Sequence, residues 1–155
     1  MPPRLLVLDA NVLVLLIVGL ASRSYIRVHK RLSAYTEADF DLLEAYANAA
    51  DRIVVTPNTI TEASNLAGHI CEPARRFIMD TLRSLTERVD EVYVESKQAV
   101  RGAIFLRLGI TDAVLLGAEF AAAELLTADL DLYIEATRAG RSVVNFNHYN
   151  EANRP

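Results

Sequence analysis

The sequence predicts an α/β fold built on a mainly parallel sheet. Three observations predict it. Five short runs of apolar or β-branched residues recur along the chain, and segments of helical periodicity separate them. The first run, Leu5-Leu6-Val7-Leu8, is apolar at four consecutive positions, which suits a strand buried on both faces. Helix-start signals stand between the runs. Thr36 and Asp39 have capping-box spacing, and Thr56-Pro57 pairs a cap with a first-turn proline. Strands alternating with helices join into parallel sheets through right-handed crossovers.

In order, residues 4–8 are the first strand and 10–20 an apolar first helix. Residues 21–35 are polar and basic, with Arg23, Arg27, His29, Lys30 and Arg31. They form an exposed helix or a loop, and such charge runs are usually solvated faces. Thr36 opens a helix to about residue 49, whose apolar stripe is Leu42, Leu43 and Tyr46. Ile53-Val54-Val55 is the second strand. The helix from Pro57 runs to Ala67, with Gly68 as its C-terminal cap. Glu72-Pro73 starts another, with Phe77, Ile78, Leu82 and Leu85 at helical spacing. Val92-Tyr93-Val94 is the third strand, and the flanking Asp90, Glu91 and Glu95 suit a sheet edge. Ser96 caps a helix through residue 106, Gly109 breaks it, and Thr111 caps the next, which opens with Asp112 and runs to residue 122. Leu125-Leu126-Thr127 is the fourth strand, a helix runs from residue 131 to Gly140, and residues 142–146 are the fifth strand. Residues 1–146 thus form a single domain, and 147–155 a polar, loosely ordered tail.

Composition narrows the function. With 155 residues the chain is one domain large enough for a real core. It is 52% hydrophobic, which argues against disorder, and its net charge of −4 argues against a generally basic nucleic-acid binder. Cys71 is the only cysteine, which fits a reducing compartment and a cytoplasmic location. Residues 4–22 have some features of a signal peptide, but Asp9 and Asn11 interrupt the apolar run. They are read as mature protein, and no membrane partner is expected.

Four acids fall at comparable places. Asp9 follows the first strand, Glu62 lies two turns into the helix after the second, Asp112 opens the helix before the fourth, and Asp129 follows the fourth. Each alone has an ordinary explanation as a cap, a surface charge or a turn residue. Together they point elsewhere. In a doubly wound sheet the first and fourth strands can be neighbours at the switch point, where ligands bind. Asn58 and Asn65 share the helix face of Glu62, and Asn11 and Thr127 add oxygen donors. Carboxylates crowded this way need a counter-charge, and Mg²⁺ or Mn²⁺ supplies it through oxygen ligands. A pair of such ions would clamp the attacking water and leaving oxygen of a phosphodiester. His29, His69 and His148 are scattered, and no zinc-type cluster is present.

The chain resembles the PIN-domain nucleases, of the kind found in VapC-like bacterial toxins. The resemblance rests on Leu8-Asp9-Ala10-Asn11-Val12-Leu13, Thr61-Glu62-Ala63, Ile110-Thr111-Asp112-Ala113 and Leu126-Thr127-Ala128-Asp129-Leu130-Asp131, in the family's order across nearly the whole chain. It implies a three-layer α/β/α fold with five mainly parallel strands. It implies Mg²⁺- or Mn²⁺-dependent RNA cleavage, often by a homodimer, with an antitoxin as a possible partner. Asp9, Glu62, Asp112 and Asp129 match the family's acidic positions, with Asp9, Asp112 and Asp129 as metal ligands. Asp131 is an outer candidate, beside the polar Asn11, Asn65 and Thr127. Arg23, Arg27, Lys30 and Arg31 are candidates for holding RNA phosphates. The long segment 21–35 departs from compact toxins. Two other readings remain: a non-catalytic PIN-like RNA-binding or scaffold subunit, and a structure-specific DNA nuclease.

Overall fold

A computed structural model describes residues 1–154. Its sheet comprises β1 (Leu5–Leu8), β2 (Arg52–Val55), β3 (Asp90–Glu91), β4 (Glu124–Thr127) and β5 (Val143–Asn145), all parallel, in the order β3-β2-β1-β4-β5. The most apolar strand is therefore the central one. The order reverses between β1 and β4, the switch point at which sheets of this kind bind ligands.

The helices are α1 (Ala10–Ala21), α2 (Glu37–Asn48), α3 (Pro57–Ala67), α4 (Ala74–Thr86), α5 (Ser96–Ala99), α6 (Ala103–Leu108), α7 (Ile110–Leu115), α8 (Leu130–Arg138) and α9 (Phe146–Asn153). Strand side chains alternate between two cores. Leu6, Leu8, Ile53, Leu126 and Val144 pack with α1 to α4 and α9. Leu5, Val7, Val54, Leu125 and Val143 pack with residues of α5 to α8. Helices on both faces make a three-layer α/β/α fold. No helix among the described residues is long and apolar enough to cross a membrane.

Helix α1 is apolar from Val12 to Val18 because that stretch is enclosed all round. It lies against β4 and against α2, α3 and α4, with Val12 to Val18 all at most 3% exposed. Gly19 permits the close crossing of α2, since a Cβ there would collide with the ring of the buried Phe40. Gly19→Ala is expected to lower stability by about 1–3 kcal/mol through overpacking. Thermal denaturation checks this; an unchanged melting temperature would show that Phe40 can swing aside.

Several boundaries differ from expectation. The third strand is Asp90–Glu91, two residues early, because Val54 and Val55 pair with these acids at the sheet edge. Ser96 is the first residue of α5 rather than its cap, and Gly102 separates α5 from α6. Thr111 lies inside α7, whose cap is Gly109. The buried stripe of α4 is Ala74, Ile78 and Leu82, which leaves Phe77 turned to solvent and 53% exposed.

The largest correction concerns residues 147–155. Residues up to Asn153 are helical, in α9, and Pro155 lies outside the described residues. The polar composition hides three anchors. Phe146 is fully buried, Tyr149 packs edge-on against Tyr46 at 5.0 Å, and Arg154 grips both oxygens of the buried Asp39 at 3.1 Å. Asp39 also closes the capping box of α2, accepting from the Thr36 amide at 2.8 Å.

Segment 21–35 keeps Arg23, Arg27, Lys30 and Arg31 exposed, as a solvated charge run should, but it also has a buried side. It forms two short 3₁₀ turns, Arg23–Arg27 and Lys30–Leu32, that bury Ile26, His29 and Leu32. The His29 Nδ1 accepts from the Arg31 amide, so its Nε2–H donates to the Ala67 carbonyl at 3.0 Å.

Candidate active site

The strand ends build the site. In each of four strands the residue at or just beyond the carboxyl end is polar and caps the next helix. These residues are Asp9, Thr56, Asp129 and Asn145. Backbone amide donors thus gather along one edge of the sheet.

Asp9 is buried, 6% exposed, at the tip of β1. Its Oδ1 accepts from the Ala10 amide at 2.7 Å, and its Oδ2 accepts from the Thr127 hydroxyl at 2.7 Å. The Thr127 oxygen in turn accepts from the Asp129 amide at 3.0 Å. Asp129 caps α8, its Oδ1 accepting from the amides of Asp131 and Leu132 at 2.8 and 3.1 Å. One short relay therefore joins the two acids across the β1–β4 switch point. The capping role open to an isolated acid is real for both, and the Asp129 Oδ2 takes no part in it.

Asp112 and Glu62 approach from the flanks. Gly109, with φ of 86°, makes the turn between α6 and α7 that sets Asp112 in the first turn of α7. Glu62 stands on the outer face of α3, with Asn58, Asn65 and Thr111 around a shallow cleft of about 390 Å³.

The acids lie near enough for their charges to act on one another. Burial pushes the Asp9 carboxyl above its ordinary range, the Thr127 and Ala10 hydrogen bonds pull it back, and Asp129 pushes it up further. Glu62 is raised by partial desolvation and then by Asp9, while the Thr111 hydroxyl lowers it and Asp129 adds to the rise. Asp112 is pushed up to about 7, first by burial and then by Asp9, Asp129 and Glu62. None of the four forms an ion pair with Lys or Arg among the described residues.

The donor set suits a hard divalent cation: all oxygen, strongly anionic and without a protein counter-charge. The geometry is less closed than the three-ligand set expected from Asp9, Asp112 and Asp129. Among the described residues no three His, Cys, Asp or Glu side chains are grouped to hold one ion. Mg²⁺ asks less of a site, since it keeps several waters and binds through one or two carboxylates.

Other expected residues divide. Thr127 is in the relay. Asn65 lines the Glu62 cleft, Asn11 is exposed in the first turn of α1, and Asp131 is exposed in the first turn of α8. Arg23 and Arg27 pair with α2: Arg23 bonds Asp41 at 2.8 Å, and Arg27 bonds Glu37 at 2.8 Å. Both guanidiniums remain exposed, so these surface pairs offset their charge only in part. Lys30 and Arg31 form no ion pair with Asp or Glu among the described residues.

Three neighbours escape a reading of the sequence. Tyr35 is half-buried, and its hydroxyl is raised by burial and by Asp39 and Asp9. It donates to Asn147 Oδ1 at 3.2 Å, and Asn147 Nδ2 reaches the Ala128 carbonyl at 3.4 Å. Asn145 is the third. Asn145, read as part of the fifth strand, is both the last residue of β5 and the cap of α9.

Compared with known proteins, the chain matches no family model and no curated sequence.

Proposed function

We propose that the chain is a metal-dependent endoribonuclease of the PIN type. One observation carries the reading: four acids from four separate segments lie near enough to the switch point of a parallel sheet for their charges to act on one another, and none forms an ion pair with Lys or Arg among the described residues. Asp9, Asp112 and Asp129 would hold Mg²⁺ or Mn²⁺, directly or through water. The bound ion would supply positive charge for the scissile phosphate and its leaving oxygen.

The chain's own groups do the remaining work. Thr127 and the Ala10 amide fix both oxygens of Asp9, so its carboxylate keeps one orientation. The Asp129 cap holds Oδ1 and leaves Oδ2 toward solvent. Glu62, raised and facing the open cleft, takes the proton of the attacking water on a carboxylate oxygen. Thr111 and Asn65 border that cleft and orient what enters it.

RNA is the preferred substrate over branched DNA, because the described residues include no added DNA-gripping element. Digestion of single-stranded RNA and of flap DNA, with Mg²⁺ and with EDTA, tests this. Cleavage of RNA only, abolished by EDTA, supports it; cleavage of the flap alone overturns it. Homodimerisation, a cytoplasmic RNA target and an antitoxin partner extend the proposal by resemblance. A small DNA-binding protein encoded beside this chain would support the last.

One observation favours a non-catalytic binding subunit: Asp9 and Asp129 both cap helices, and among the described residues no three acids surround one point. Calorimetry with Mn²⁺ separates the two. The nuclease reading expects saturable binding below millimolar metal, lost in Asp129→Asn. No heat at millimolar Mn²⁺ would favour the scaffold.

A further inference from the structure

Beyond the C-terminal end of α3 lies a second cleft, larger than the one at Glu62, enclosing about 810 Å³. Its floor is apolar and aromatic, from Tyr25, Val28 and Ile70. Its polar rim is Lys30, Arg31 and His69, and no lining residue is acidic. The rim is ordered. Arg31 Nε donates to His69 Nδ1 at 3.1 Å, which puts the imidazole proton on Nε2. The cleft thus offers an ammonium, a guanidinium and an N–H donor, with no anion to satisfy them. Segment 21–35 is held in place by the buried Ile26, His29 and Leu32 beneath this rim.

The cleft lies beyond the C-terminal end of the helix that carries Glu62. α3 ends at Ala67, about 7.5 Å of helical rise after Glu62, and His69 follows through the turn at Gly68. Asn65 lies between Glu62 and His69.

We infer that the Lys30–Arg31–His69 cleft is a subsite for the RNA strand that enters the acidic site. It binds a backbone phosphate on its basic rim and a base against Tyr25. This deepens the ribonuclease proposal and rests on it. An anionic active site repels a polyanion until metal binds, so a basic foothold beside it supplies the attraction that the acids cannot. Base stacking on an aromatic ring requires no particular sequence.

The test uses the full chain in EDTA, so that binding is read without cleavage. A fluorescein-labelled single-stranded oligouridylate is titrated at several salt concentrations. Lys30→Gln/Arg31→Gln is expected to weaken binding at least fivefold and to flatten the log–log salt slope by about 0.7 for each phosphate it no longer neutralises. Arg23→Gln/Arg27→Gln, whose charges are already partly offset, should flatten the slope less. Cys71 lines the cleft and is exposed, so saturating RNA should slow its alkylation several-fold. RNA binding with an unchanged slope in the Lys30/Arg31 variant, or with unprotected Cys71, overturns the subsite and leaves the nuclease reading standing. No RNA binding by the unaltered chain in EDTA overturns the subsite alone, since the acids repel RNA until metal binds; the nuclease reading falls only if RNA is also left uncut with Mg²⁺. Protection of Cys71 by polyglutamate but not by RNA assigns the cleft to an acidic protein segment and overturns the RNA assignment.

Discussion

Asp9→Asn is expected to reduce Mg²⁺-dependent RNA cleavage by about a thousandfold or more, while the protein remains folded. The activity loss follows from the position of Asp9. It is the most buried of the four acids, and its charge acts on both Glu62 and Asp112. Removing it weakens the pull on a divalent ion, and a thousandfold corresponds to about 4 kcal/mol. The fold survives because Asn caps a helix about as well as Asp. The Ala10 amide keeps an acceptor, and the Thr127 oxygen can accept from the new amide. Circular dichroism and RNA gel assays in parallel check this. Full activity in the folded variant would end the metal-dependent account.

The second large effect is a stability that falls as pH rises, seen only without metal. The Asp112 carboxyl is raised from 3.8 to about 7, so the folded chain binds its proton more tightly than the unfolded chain does. Between about pH 4 and pH 7 the folded state therefore holds more protons, and stability declines across that window as pH increases. Such a shift corresponds to about 4 kcal/mol at most, and solvent access to the cluster reduces this to about 2 kcal/mol. In EDTA at pH 8, Asp112→Asn should melt several degrees higher than the parent chain. At pH 4 the two should coincide. Mg²⁺ at pH 8 should raise the parent's melting temperature and move the variant's less. A parent profile flat from pH 5 to pH 8 in EDTA would contradict the crowding of the four acids.

The parts legible in the sequence are those encoded locally or by simple periodicity. The capping box at Thr36, the Thr56-Pro57 start and the alternation of strands with helices involve neighbours in the chain, and the structure contains them all. Adjacency of β1 and β4 follows from the topology of doubly wound sheets, and it brings Asp9 beside Asp129. Glu62 and Asp112 carry no local signal. They stand out only as members of an ordered set.

Long-range partners are not legible. Asp39 reads as a capping acid, yet it also anchors Arg154, 115 positions later. Helix α9 looks polar because its buried side holds Phe146, the half-buried Tyr149 and a buried polar residue, Asn150. The basic run 21–35 is solvated as it reads, but its sequence does not reveal that Arg23 and Arg27 answer to Glu37 and Asp41 on another helix. Tyr35 and Asn147 meet across 112 positions, and neither carries a pattern that predicts the other.

The place of β1 in the sheet has a kinetic consequence. Its two neighbours are β2, about 47 positions later, and β4, about 118 positions later. During synthesis the central strand gains its second partner only after residue 127 has been made, so a nascent chain must carry an unshielded oily segment for most of its growth. Such distant pairing makes for slow maturation and a need for holdase protection. Amide exchange should then be slowest in β1, and partial chains ending before β4 should aggregate.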